Sequence, residues 1–186
     1  MRRRWGSGIT KVSAEPSHIG TAPILVLGVG NQLLTDDGVG LELLRLVQAQ
    51  RAGLDIVEFV DGGTQGLALL GVLDGRSHLL ILDAISARGD SPAPGAIHDI
   101  DAGVGRATRS TSAHGSSVNE LLGVAKLMGA VPAEVRLVGI EPEVVKTGIG
   151  LSDAVRKAVP EATKVACQRL DAMVNALSQS GKAARA

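Results

Sequence analysis

An α/β fold is what this sequence predicts: one three-layer α/β/α domain around a mostly parallel five-stranded sheet. Three observations predict it. Short apolar runs alternate with longer segments of helical period along the chain. Some runs are apolar at nearly every position, Ile24–Val29 (ILVLGV) being the clearest, which marks strands covered on both faces. Acids and glycine turns follow the runs, as in NQLLTDDG, DGGT and LDA, at the edge where open α/β proteins build their sites.

Taken in order, residues 1–22 carry scattered charge without a period and are expected to be a flexible extension. The domain is expected over residues 23–178. Its first strand, Ile24–Val29, enters a Gly-Asn turn holding Asp36 and Asp37. A helix follows with Leu41, Leu44 and Val47 on its inner face and Glu42 and Arg45 outside, and Gly53 stops it. The second strand, 55–60, runs into Asp61-Gly62-Gly63-Thr64, whose paired glycines mean a tight turn with unusual φ or the close approach of another backbone, and a short helix over 65–73 comes next. The third strand, 78–82, ends at Asp83-Ala84. Residues 88–95 read as loop, 96–100 as a short edge strand, and 101–117 as a Gly-, Ser- and Thr-rich loop containing His114. Helix resumes over 117–129, and the last strand, Glu134–Ile140, is closed by Pro142. Ser152 and Asp153 open a C-terminal helix to about residue 178, in which Pro160 is expected to make a kink or break, and residues 179–186 are expected to fray.

Composition narrows the function. Aromatics are 1% of the chain, so it has no stacking platform for single-stranded nucleic acid. Lys+Arg and Asp+Glu are 19 each, so it has no basic footprint for nucleic acid or an acidic membrane. The one cysteine, Cys167, cannot form an internal disulfide and reads as a small buried residue rather than a nucleophile. Arg2, Arg3 and Arg4 are not followed by an apolar stretch, and no run suits a transmembrane helix, so a soluble, cytoplasmic protein is expected; a monomer is expected as well.

The glycine turn after the first strand invites a nucleotide, but the G-x-G-x-x-G pattern fails at Leu33, and Asp36 and Asp37 stand where a phosphate would arrive. The P-loop's G-K-[ST] is absent. Acids follow four strands instead: Asp36/Asp37, Asp61, Asp83 and Glu141. Singly, each reads as a helix cap or turn holder; together at one sheet edge they favour a cation. Of the histidines, His18 lies in the N-terminal segment, His98 reads as structural, and His78 is about 16 Å from Asp83 along the strand. His114 sits in a loop before a helix, where it can reach the acidic edge. Two carboxylates and one imidazole would suit a divalent metal of borderline softness with coordination positions left open.

The block L-G-V-G-N-x-L-L-x-D-D-x-x-G after an apolar strand resembles the hydrogenase maturation endopeptidases, which remove a C-terminal extension from the large subunit of nickel–iron hydrogenases. Asp61-Gly62-Gly63-Thr64, Leu82-Asp83-Ala84, His114 and Val138-Gly139-Ile140-Glu141-Pro142-Glu143 follow in the family's order. The resemblance covers residues 23–178. It implies that Asp37, Asp83 and His114 are the metal-binding and catalytic residues, with Asp36 alongside leaving open which carboxylate reaches the metal. It also implies nickel carried by the substrate, a nickel-loaded large-subunit precursor as partner, and attack by a polarised water. Ser112, Ser116 and Ser117 read as loop and cap residues, and Asp61 as shaping the cleft. A non-catalytic nickel-checking or chaperone module and a zinc metallohydrolase are the competing readings.

Overall fold

The computed structural model describes residues 22–87, 93–103, 110–112 and 117–183. The three-layer α/β/α architecture and the mixed, mostly parallel sheet are as the sequence predicts. Strands β1 (Ile24–Val29), β2 (Val57–Gly63), β3 (His78–Ala87), β4 (Ile97–Asp101) and β6 (Glu134–Ile140) lie in the order β2-β1-β3-β6-β4. All neighbours are parallel except the edge pair β4–β6. A short strand β5 (Ser110–Ser112) pairs antiparallel with the far end of β3. The helices are α1 (Val39–Gln50), α2 (Leu70–Leu73), α3 (Ser117–Leu127) and α4 (Asp153–Ala183).

The pleat divides the apolar residues between two cores. Ile24 and Val26 of β1, Leu80, Leu82 and Ala84 of β3, and Val138 and Ile140 of β6 face α1 and α4. Leu25 and Leu27, Leu79 and Ile81, and Val135 and Leu137 face α2 and α3. The strands at the middle of the sheet are thus covered on both sides, which is why they read as unbroken apolar runs.

Four expectations change. β3 does not end at Asp83: pairing of Ile85, Ser86 and Ala87 with Ser112, Thr111 and Ser110 extends it, so part of the expected 101–117 loop is strand. β2 runs on to Gly63, so the D-G-G segment is strand as well as turn: Gly63 adopts φ +46, and a Cβ on Gly62 would lie 3.1 Å from the Gly28 carbonyl oxygen. Gly62 is buried there, and the ladder with β1 is irregular between Gly28 and Val29. The short segment after it begins as a 3-10 turn, Gly66–Leu69, before α2. Pro160 does not break α4, which is continuous to Ala183. Val155, Val159, Ala162, Ala166, Leu170 and Met173 form one buried stripe through the exposed proline. Packing of that stripe outweighs the roughly 3 kcal/mol that an interior proline costs. The expected N-terminal extension lies, except for Ala22, outside the described residues. Among the described residues no helix is long and apolar enough to cross a membrane.

Strand order positions the site. The chain leaves β1 for β2 on one side, then crosses to β3 on the other, so the crevice outside the C-terminal ends of β1 and β3 is the topological switch point. Glycine lets α1 start close to it. A Cβ on Gly40 would run into the Val29 and Leu82 carbonyl oxygens and lie 2.9 Å from the Asp83 Cα, while one on Gly28 would lie 2.8 Å from the Leu44 Cβ.

Candidate functional site

The turn after β1 is built to hold Asp37. Gly30 adopts φ +133, and a side chain there would collide with the Asp37 carbonyl. Asn31 uses both its ends: its side-chain oxygen accepts the Leu33 N–H at 2.9 Å, and its backbone N–H donates to Asp37 Oδ2 at 2.7 Å. Asp36 and Asp37 follow in a 3-10 turn, Thr35–Gly38, that runs into α1.

Asp83 enters from β3. Strand alternation places it on the side of Leu79, Ile81 and Ile85, and like Asp37 it is 2% exposed. Its Oδ1 accepts the Ala84 N–H at 2.8 Å. Burial drives its pKa well above the usual carboxylate value; the Ala84 hydrogen bond opposes the rise and the negative charge of Asp37 adds to it. Two carboxylates that feel each other in a buried crevice favour either a retained proton or an arriving cation.

The neighbouring acids are engaged elsewhere. Asp36, fully buried, accepts the Glu143 and Val144 N–H groups on Oδ2, each at 3.0 Å, and the Ser152 N–H on Oδ1 at 2.6 Å. Asp61 is exposed and its Oδ1 accepts the Gly63 N–H at 3.0 Å, a turn-holding role. Glu141 is buried and meets the His98 Nε2 at 3.1 Å across the β4–β6 edge. His78 opens β3 and faces Glu134 at 3.5 Å, at the opposite end of the strands.

Asp37 and Asp83 are thus brought together. His18, His114 and Ser116 lie outside the described residues, as do the side chains of Ser112 and Ser117. Among the described residues, no three His, Cys, Asp or Glu side chains form a metal-binding group. A groove of about 520 Å³ flanks the same turn, lined by Gln32, Thr35, Glu42, Ile149 and Arg156 among others; neither Asp37 nor Asp83 lines it.

Sequence reasoning missed the partner of the turn. Segment 143–152 is laced to residues 34–36 by the Asp36 bonds, by Thr35 N–H to the Gly148 carbonyl (3.0 Å), and by a Leu34–Gly148 bridge. Nothing in the local sequence of either segment announces a partner more than a hundred residues away.

Comparison with known proteins gives one answer. Residues 41–169 match the family model described as hydrogenase maturation protease. The hydrogenase 2 maturation protease of Escherichia coli (strain K12) is 34% identical over 158 residues, spanning 85% of this chain and 92% of that protein. The hydrogenase expression/formation protein HoxM of Azotobacter vinelandii is 33% identical over 171 residues, spanning 89% and 81%. Among solved structures, the hydrogenase maturating endopeptidase HybD from E. coli superposes with a TM-score of 0.67 at 33% identity, covering 82% of this chain and 93% of that one. The [NiFe] hydrogenase maturation protease HybD from Thermococcus kodakarensis does so with 0.63 at 26% identity, covering 79% and 97%.

Proposed function

This chain belongs to the hydrogenase maturation protease family and is a peptide-bond hydrolase, and we propose that it removes the C-terminal extension from a nickel–iron hydrogenase large-subunit precursor. In this reading Asp37, Asp83 and His114 engage the nickel already inserted in that substrate, so the metal marks a correctly loaded precursor.

The observation that carries the proposal is the buried pair. Asp83 is pushed up by burial and by the charge of Asp37 at the switch point of the sheet, where neither burial nor repulsion serves the fold. A divalent cation arriving with the substrate relieves both. Carboxylates and an imidazole suit nickel, and ligands from two chains hold the scissile segment beside the ion. Hydrolysis then follows from a polarised water. Its oxygen bonds to the scissile carbonyl carbon, the C–N bond breaks, and a proton passes to the departing amine. The new C-terminus stays with the large subunit, and the extension leaves as a short peptide.

The test is to incubate the purified protein with nickel-loaded and with nickel-free precursor and to read intact masses. Loss of the extension from the loaded form alone is expected. Binding without cleavage would point instead to a nickel-checking module. Cleavage indifferent to loading would point to a hydrolase carrying its own zinc.

A further inference from the structure

Asp36 and Asp37 are neighbours in sequence, both buried, and only one of them is in the pair with Asp83. Asp36 is 0% exposed, and among the described residues no Lys or Arg forms an ion pair with it. Its two oxygens are occupied by three backbone N–H groups of another segment, those of Glu143, Val144 and Ser152. Three donors converging on one side chain suit a group that only accepts, which a carboxylate is and a carboxamide is not.

Thr35 adds an independent observation. It is the one described non-glycine residue at positive φ, at 49°, a conformation that costs a β-branched side chain energy and persists only where the surroundings over-determine it. The surroundings here are the same segment. The Thr35 hydroxyl donates to the Val144 carbonyl at 2.7 Å and accepts the Lys146 N–H at 3.3 Å, and its backbone N–H donates to the Gly148 carbonyl. The Asp36 N–H meets the Val144 carbonyl at 3.3 Å. Asp37 comes next in the chain, its Oδ2 fixed from the other side by the Asn31 N–H.

We propose that Thr35 and Asp36 are positioning residues, which lock the Asp37-bearing turn to segment 143–152 and so set where the Asp37 carboxylate stands relative to Asp83. The proposal rests on the assignment of Asp37 to the substrate-engaging site. It gives the two adjacent acids different roles. Asp37 meets the substrate, and Asp36 holds Asp37 in place without touching substrate.

The variants Asp36→Asn, Thr35→Val and Thr35→Ser test it. Asparagine puts an NH2 group against N–H donors, valine keeps the β-branch but loses both hydroxyl bonds, and serine restores the hydroxyl. Asp36→Asn and Thr35→Val are expected to lower kcat about 100-fold, with KM nearly unchanged and Thr35→Ser close to wild type. Arg51→Ala, which breaks the bidentate Arg51–Asp171 pair, is the stability control: it lowers Tm and leaves kcat alone. A readout independent of activity is amide hydrogen exchange at Asn31, whose N–H bonds Asp37. It is expected to speed about tenfold in Asp36→Asn and Thr35→Val and not in Arg51→Ala. If Asp36→Asn does not fold, Thr35→Val with its serine rescue carries the same test. Unchanged exchange at Asn31, or wild-type kcat in both variants, overturns the proposal. Wild-type protein that leaves the loaded precursor uncut overturns the functional reading instead, and the Asn31 exchange still decides the positioning role.

Discussion

The two ends of the parallel strands are built from similar residue types and solve different problems. At the N-terminal end charge is paired. His78 faces Glu134 where β3 and β6 begin, and Arg76, its side chain nearly buried, bonds Glu58 and the carbonyls of Ala22 and Val72. At the C-terminal end stand the four buried carboxylates of the described residues, Asp36, Asp37, Asp83 and Glu141. Backbone N–H groups hold Asp36, a histidine holds Glu141, and Asp83 is left with a raised pKa. The contrast teaches where this fold accepts an unfavourable arrangement. Arg76 and His78 tie the strands together at one end, and at the other burial and the charge of Asp37 hold the Asp83 carboxyl well above its usual pKa.

That contrast can be broken from either end. The largest effect is expected from the C-terminal side: Asp37→Ala and His114→Ala each reduce processing of nickel-loaded precursor on the order of 1,000-fold, while circular dichroism keeps the wild-type α/β signature. Near-normal processing in either variant would remove that residue from the site. Next comes Gly40→Ala, whose added methyl meets the Val29 and Leu82 carbonyls and the Asp83 backbone. Loss of about 3 kcal/mol in denaturant unfolding is expected, with processing impaired even in the folded fraction, because α1 must move off the acid pair. Smaller, and confined to stability, is Arg76→Ala at the N-terminal end. It strands carbonyl groups and costs about 1–3 kcal/mol, with kcat of the folded protein unchanged. An effect of Arg76→Ala on kcat equal to that of Asp37→Ala would erase the distinction between the two ends.

Much of the fold is legible in the sequence because its central strands are buried on both faces. β1 and β6 have the bounds their sequence predicts: β1 is buried at every position, and β6 is buried from Leu137 to Ile140, with Glu134 and Arg136 half-buried where it begins. The departures lie where pairing depends on distant residues. β3 continues past Asp83 because Ser110–Ser112 pairs with it, and three small polar residues carry no strand signal of their own. Pro160 misleads, since a local rule about a missing N–H says nothing of the sheet packed along the other face of α4. The site is half legible. Acids following apolar runs in a predicted parallel sheet point to one edge, where Asp37 and Asp83 are both buried and the charge of Asp37 acts on Asp83. Their separation from Asp36, Asp61 and Glu141 is not legible, because it is made by Glu143, Val144 and Ser152, by Gly63, and by His98. Two adjacent aspartates look alike until the chain returns to claim one of them.

Whether the acid pair is kept for function at the expense of the fold is read from Asp83→Asn. Burial and Asp37 raise the folded pKa of Asp83, so between the unfolded value of about 3.9 and that raised value the folded state holds more protons than the unfolded chain. Stability therefore falls as pH rises across that window, and an asparagine, which cannot ionise, removes the loss. Thermal unfolding at about pH 8 and at about pH 4, run beside the precursor-processing assay, is the measurement. A Tm above wild type at the higher pH, a gap that closes at the lower pH, and abolished processing are expected. A variant that unfolds earlier than wild type at the higher pH, or that still trims the loaded precursor, would contradict that reading of the acid pair.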